Sequence, residues 1–406
     1  MPAKSWYRNL YAIFIAELLV MIGFSFVHPF MPLFIQGIGD FTGPQAALWA
    51  GIATSVQGIA MFFSAPMWGI VADRWGRKPM VLRAMFGSGI VLAAIGLAPS
   101  VYYIIALRLV QGLLSGTIAA ASALVAASTP KSKMPFAMGL LMVAVFCGNS
   151  FGPLAGGFLA DIMGFKAAFF ITGGLLSAGG LIVLLFVTED FERPAQGQRA
   201  SLSSMLRLAK SKEIFPLLVA LFALHAGPQM MTPIISLFIK ELNPGGMAAT
   251  SSGIAFGSMG ILAAVSAFIT GRLGGRISLK TILIISCVGT GLLYIPPVFA
   301  QTAIQVIIFI ALLGLFKGGL MTSSNALIGL SVSQSQQGVA YGIAQSANAL
   351  GNGIGPLVGG GLASLMGLRA VFGFGSGLFI LIGVVISKLL AVVKSGEPEV
   401  LSEIIN

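Results

Sequence analysis

Four ionisable side chains stand deep inside apolar runs of this chain: Glu17, Arg108, His225 and Lys317. A fifth, His28, lies near the end of the first run, just before Pro29. A charge at the centre of a bilayer costs about 2.5–3.5 kcal/mol on insertion scales, so each needs a physical reason. Glu17 is the best candidate for proton chemistry. A carboxyl in a low-dielectric interior can take up and release a proton near neutrality. The alternative is an ion pair with Arg108 that never titrates. Arg108 keeps its charge; it could tune Glu17, hold an anionic group of a substrate, or be a structural pair. Histidine titrates in the useful range, so His225 is a second proton candidate beside the plainer reading of a satisfied polar residue; His28 reads as structural. Lys317, followed by Gly318 and Gly319, could repel cationic ligands or pair with Glu17, and the sequence does not choose.

Other chemistry is not written in the chain. There is no H-E-x-x-H, no G-x-S-x-G, no pair of aspartates within the apolar runs and no G-x-x-x-x-G-K-S/T phosphate loop. Cys147 and Cys287 sit in apolar runs and read as buried thiols, with no metal-ligand spacing. The expectation is therefore no cofactor and no metal. What the runs do carry is the material of a greasy cavity with a few polar handles. The candidate lining residues are Phe24, Phe26, Phe30, Gln57, Phe146, Asn149, Phe222, Gln229, Met230, Lys317, Asn325, Asn348 and Asn352. Aromatic and methionine side chains suit flat, varied ligands, although any one phenylalanine could equally be packed between helices or face lipid.

These residues must be positioned by membrane-spanning helices. Of 406 residues, 57% are hydrophobic and 9% charged, against about 25% charged in soluble domains. That excludes a soluble enzyme, a disordered chain and a secreted disulfide scaffold. Each span needs about 20 mostly apolar residues. Twelve segments qualify: 10–35, 48–71, 79–98, 101–127, 135–161, 167–188, 214–239, 249–271, 281–300, 303–330, 340–365 and 371–390. No period of two suggests a barrel. The first run is too long for a cleaved signal peptide and reads as the first span. With twelve spans, 18 of the Lys and Arg residues fall on the side of the N-terminus, three on the opposite side, and two deep in spans. The positive-inside rule then places both termini in the cytoplasm. The net charge of +11 is orientation-setting loop charge, not a nucleic-acid patch. Residues 189–213 form the longest cytoplasmic stretch, with Leu202, Met205, Leu206 and Leu208 beside Arg207, Lys210 and Lys212, a short basic amphipathic segment suited to the inner leaflet.

The stretch 148–170 aligns with 351–373 without gaps, 13 of 23 positions being identical at a shift of 203 residues. Pro29, Leu33, Phe34 and Ile35 match Pro233, Leu237, Phe238 and Ile239 at a shift of 204. The chain is expected to be an all-α membrane protein of twelve transmembrane helices in two parallel six-helix pseudo-repeats. The halves are 1–188 and 214–406, joined by the linker 189–213. Parallel repeats of this kind place a site near the midplane and work by rocking one half on the other.

The loop after the second span reads Gly69-x-x-x-Asp73-x-x-Gly76-Arg77-Lys78. It is similar, at every defined position, to the signature loop of the major facilitator superfamily. The matching loop at 271–276 keeps Gly271 and Arg272 but has no acid. The fifth span carries Gly148-x-x-x-Gly152-Pro153-x-x-Gly156-Gly157, which resembles the antiporter motif of drug-exporting members, and the eleventh span repeats it around Pro356. Arg108-x-x-Gln111-Gly112 resembles the fourth-span motif in part, Leu113 and Leu114 replacing the usual small residues. The resemblance covers the whole chain and implies the major facilitator fold and a drug:proton antiporter. It implies that the 69–78 loop, through Asp73 and Arg77, latches one state, that Arg108 assists proton transfer, and that Glu17, twelve residues before Pro29, is a first-span acid of the kind some relatives carry. The partners implied are small hydrophobic substrates, cationic ones included, protons and the lipid bilayer of an inner membrane; a monomer suffices. The rivals are a transporter of one metabolite such as a sugar, a membrane-embedded enzyme, and a non-transporting receptor or scaffold.

Overall fold

Backbone N–H and C=O groups in lipid must be satisfied within the segment, which favours helices. The computed structural model of the chain describes residues 3–130, 133–189, 215–273, 277–330 and 337–392. Among these residues there are helices and no strand. In chain order they are α1 (Ala3–Phe26), α2 (Met31–Gly39), α3 (Gly43–Trp75), α4 (Lys78–Ile95), α5 (Val101–Leu114), α6 (Thr117–Ser128), α7 (Met134–Met163) and α8 (Phe165–Phe186). Then follow α9 (Phe215–Leu242), α10 (Ala248–Leu273), α11 (Leu279–Leu293), α12 (Ile295–Val298), α13 (Ala303–Leu330), α14 (Gln337–Met366) and α15 (Leu368–Val392).

Among the described residues, eleven stretches are long and apolar enough to cross a membrane. The twelfth span is α14, which has 30 residues but is diluted by Gln345, Asn348, Asn352 and its glycines. Three expected single spans are divided, the ninth only at Tyr294, between α11 and α12. The first ends at Phe26 and resumes at Met31, because Pro29 lacks an N–H and restricts His28 before it. The fourth breaks between α5 and α6 at Ser115, which is extended, and Gly116, whose φ is +114°. The amphipathic segment expected within 189–213 lies outside the described residues from 190 onward.

Two compact units emerge. One comprises Met1–Thr42, Ile52–Gln196 and Pro244–Gly257; the other comprises Gly43–Gly51, Gly197–Asn243 and Ser258–Asn406. They differ from the halves read in the sequence because the first turns of α3 pack on α14, and the first turns of α10 pack on α7. Gly51 and Gly360 make the first contact: a Cβ on Gly51 would strike the Pro356 carbonyl, and one on Gly360 would lie 2.9 Å from the Leu48 Cα. Gly253 and Gly157 make the second, over the carbonyls of Pro153 and Ala249.

Within the first unit, α7 lies along α1. Gly148 meets Met21, Gly152 meets Ile22 and Ser25, and Gly156 meets the backbone of Phe26. Within the second unit, α14 lies along α9 in the same way, Gly351 on Phe222, His225 and Ala226, Gly355 on Ala226, and Gly359 on the backbone of Met230. Small residues every fourth position let helix backbones meet. The duplication seen in the sequence is thus a duplication of contacts. Each unit also has an aromatic cluster. Phe34 lies 4.9 Å from Phe169 between ring centres, and Phe238 lies 5.5 Å from Phe372. The turns α7–α8 and α14–α15 each pivot on one glycine, Gly164 and Gly367, at φ +83° and +86°. Only glycine takes such angles without strain.

Candidate functional site

Glu17 lies midway along α1, fully buried at 0% exposure. Neither carboxyl oxygen has a hydrogen-bond partner among the described residues. Thr117, buried at the first position of α6, is close enough to act on the carboxyl without completing a hydrogen bond of good geometry. Arg108, expected as a possible partner for Glu17, is not paired with it. Its Nη1 donates to Gln57 Oε1 at 2.7 Å and to Gln111 Oε1 at 2.9 Å. The i, i+3 spacing on α5 brings Arg108 and Gln111 together, and Gly112 brings α3 close enough for Gln57 to reach, since a Cβ there would strike the Gln57 carbonyl. Two neutral amides therefore hold the guanidinium, in place of the carboxylate of the ion-pair alternative.

The break beside Glu17 is a built feature that the sequence did not reveal. Interrupting a helix exposes carbonyls with no intrahelical partner. Here they are covered from α3 and α4. Ser64 Oγ donates to the Gly112 carbonyl at 3.1 Å, Trp68 Nε1 to Leu113 at 2.6 Å, and Arg83 Nη2 to Ser115 at 3.1 Å. Arg83 also stacks on Trp68, 3.7 Å from the ring centre. Arg83, counted from sequence among the loop charges, thus serves the interior. Discontinuous spans of this sort line membrane ligand sites because a helix end there meets a polar group. Glu17 and Thr117 meet that description.

The signature loop is organised by a residue that sequence reading missed. Glu189, just past α8, accepts hydrogen bonds from the backbone N–H of Arg77 (2.7 and 3.0 Å) and Lys78 (2.7 Å). It thereby caps α4, with Gly76 at φ +95° turning the chain against it. Lys78 Nζ in turn donates to the carbonyls of Leu184 and Val187, 2.9 and 2.7 Å away. Cation and carboxylate each meet the end of the helix that suits their charge. Gly69 faces open space, and the side chain of Asp73 lies outside the described ones. Because losing such a cap costs about 1 kcal/mol, Glu189→Ala is expected to lower the thermal midpoint of the purified protein, with Glu189→Gln intermediate. An unchanged midpoint in both would show that Glu189 does not hold the loop.

A second missed carboxylate is Asp161 near the end of α7. Its Oδ2 accepts from the backbone N–H and hydroxyl of Thr250, both at 2.7 Å, capping α10.

The cavity candidates divide. Phe26, Phe30 and Met230 do not line an opening: they are 2%, 0% and 2% exposed. Phe26 and Met230 lie under Gly156 and Gly359, and Phe30 packs on Phe165 and Phe169. The close glycine contacts shut these side chains into helix interfaces. Phe24, Gln57, Phe222, Gln229, Asn348 and Asn352 are half-buried, while Phe146 and Asn149 are exposed. Asn149 accepts from Ser25 Oγ at 2.7 Å, and Gln229 from Thr232 at 3.3 Å. The side chain of Asn325 lies outside the described ones. Pro153 sits inside α7, which runs on through it as one helix. In the second unit, His225 shares Nδ1 with the Leu221 carbonyl at 3.0 Å and lies within the field of the half-buried Lys317.

A sequence model described as Major Facilitator Superfamily matches residues 13–296 and again 217–404. The chain is 35% identical over 385 residues to the multi-drug resistance efflux pump PmrA homolog of Lactococcus lactis subsp. lactis (strain IL1403), covering 94% of each chain. It is 34% identical to the multidrug resistance protein MdtG of Escherichia coli O81 (strain ED1a), over 91% of each. Among solved structures it is similar to the nucleoside transporter NupG, with a TM-score of 0.76 at 15% identity, covering 94% of this chain and 99% of that one. At that identity the likeness speaks for the fold.

Proposed function

The chain belongs to the Major Facilitator Superfamily, and on that premise we propose that it exports hydrophobic compounds, cationic ones included, in exchange for protons entering the cell. The named activity of its PmrA and MdtG relatives supports multidrug efflux. The observation that carries proton coupling is Glu17, a fully buried carboxyl with no hydrogen-bond partner among the described residues, beside a broken helix. A carboxylate so placed has no fixed countercharge, so proton and cargo would compete to neutralise it. That competition links the two fluxes through differential affinity for two conformations. Arg108, held by Gln57 and Gln111, would set the local field, and His225 is a second proton carrier.

The rest of the reading follows from the same layout. Two six-helix halves, 1–188 and 214–406, would alternate access, with the 69–78 loop as the latch and Glu189 as its anchor. Gly148, Gly152 and Gly156 would give the close α1–α7 contact, and Pro153 and Gly157 the α7–α10 contact, on which that movement turns. The half-buried and exposed cavity candidates would contact the cargo. The distribution of Lys and Arg supports an inner-membrane protein with both termini cytoplasmic, and a monomer would suffice for the mechanism.

The test is transport by purified protein in sealed vesicles carrying a pH gradient. Adding a lipophilic cationic dye should dissipate the gradient at a rate that saturates with dye. No dissipation with any lipophilic compound would overturn the reading, and strict selectivity for one metabolite would favour the rival transporter.

A further inference from the structure

Lys317 lies at the middle of α13, about 20 Å from either end at 1.5 Å per residue. It has no hydrogen bond or ion pair among the described residues. Among the described residues of its own unit the sole acid is Glu241. Between 258 and 392 the sequence contains no Asp or Glu, and in α9 the sole carboxylate is Glu241, next to the helix end and 16 residues beyond His225. His225 supplies no negative charge either. Its Nδ1 is taken by the Leu221 carbonyl.

The helix is pinned so that this cation stays put. Gly314 and Gly318 press α13 onto α10, over the carbonyls of Met259 and Ala263. Gly319 abuts Ser286 of α11, and Ser266 donates to the Leu315 carbonyl. Position 317 corresponds to Ser115 of the first unit, since Gly112 on Gln57 and Gly314 on Met259 are equivalent contacts at a shift of 202. There the helix breaks and Arg83 covers the carbonyl; here it runs unbroken and places a lysine.

An intramembrane cation without a counterion is retained where something transient supplies one. We propose that Lys317 is a subsite for an oxyanion of the cargo, a carboxylate or phosphate-type group on an amphiphilic molecule, with His225 beside it. The inference deepens the export reading and rests on it for the word cargo; the binding it asserts does not depend on proton coupling.

The test uses purified full-length protein in detergent and two probes of one shape, 1-naphthaleneacetate and its neutral amide, with affinities measured by equilibrium dialysis. The wild type should bind the carboxylate more tightly, by about tenfold (a factor equal to roughly 1.4 kcal/mol). Lys317→Met should abolish that preference and leave amide binding unchanged, while Lys317→Arg should restore it. Equal binding of the two probes by the wild type would overturn the proposal, even if no variant folds. So would a Lys317→Met protein that weakens both probes alike, as a purely structural residue would. Carboxylate preference without gradient-driven flux would sink the export reading and leave the subsite standing.

Discussion

Glu17→Gln is expected to stop gradient-driven export, lowering its initial rate by more than about tenfold, a loss equal to at least roughly 1.4 kcal/mol of coupling. The change keeps the shape of the side chain and removes its ability to exchange a proton. Glu17 is fully buried and neither oxygen is hydrogen-bonded among the described residues, so no described side chain in its unit stands ready to take over the role. The amide adds two donors where the carboxyl had no partner, and an unsatisfied buried polar group costs about 1–3 kcal/mol. A modest fall in thermal midpoint should therefore accompany the lost flux, with Thr117 as the nearby acceptor that limits it. Exchange of labelled for unlabelled cargo without a pH gradient should persist in the variant, because that cycle needs no proton. The decisive pair of measurements is flux with and without the gradient in the same vesicles. Full gradient-driven export by the Gln variant would remove Glu17 from the coupling step, and loss of both fluxes together would point to a structural defect instead.

Much of this architecture is legible in one sequence because it repeats. Hydropathy marks most of the spans, and the alignment of 148–170 with 351–373 foretells that α7 and α14 make equivalent contacts, as Gly156 on Phe26 and Gly359 on Met230 now do. The family motifs sit where the spans require them. What the sequence could not reveal is tertiary. The break at Ser115–Gly116 leaves the apolar pattern of the fourth span intact, so nothing in composition marks it apart from one glycine. Its carbonyls are satisfied by Ser64, Trp68 and Arg83, residues more than 30 positions away. Glu189 caps a helix 112 residues earlier, which no local spacing foretells.

The misplaced residues carry the same lesson. An aromatic or methionine side chain serves a cavity wall and a helix interface equally well. Phe26, Phe30 and Met230 went to the interface because a glycine on the neighbouring helix leaves no gap over two of them, and aromatic rings enclose the third. The alternative of an Arg108–Glu17 ion pair rests on two opposite charges standing within apolar spans. Two glutamines, which carry no charge and so attract no notice in a charge count, hold Arg108 instead.

The closeness of those helix contacts sets up the second large effect. Gly156→Ala and Gly359→Ala are each expected to cost more than the usual 1–3 kcal/mol or so of an overpacked core. In both, the added methyl would meet carbonyl oxygen, carbonyl carbon and Cα of one residue, Phe26 or Met230. Backbone cannot rotate out of the way as a side chain can, so α7 must shift from α1, or α14 from α9, along their length. Gly361→Ala is the control: it lies two residues past Gly359 on the same helix, and a Cβ there meets nothing within 4 Å. The measurements are yield of monodisperse protein and thermal midpoint in detergent, followed by flux where enough protein folds. The two interface variants should fail alike, since the contact is the same in each unit, and the control should match the wild type. If Gly156→Ala proves as stable and active as Gly361→Ala, α1 and α7 do not approach as closely as their glycines imply. The account of the fifth-span motif as a helix contact would then have to be given up, while the proton site at Glu17 would keep its own test.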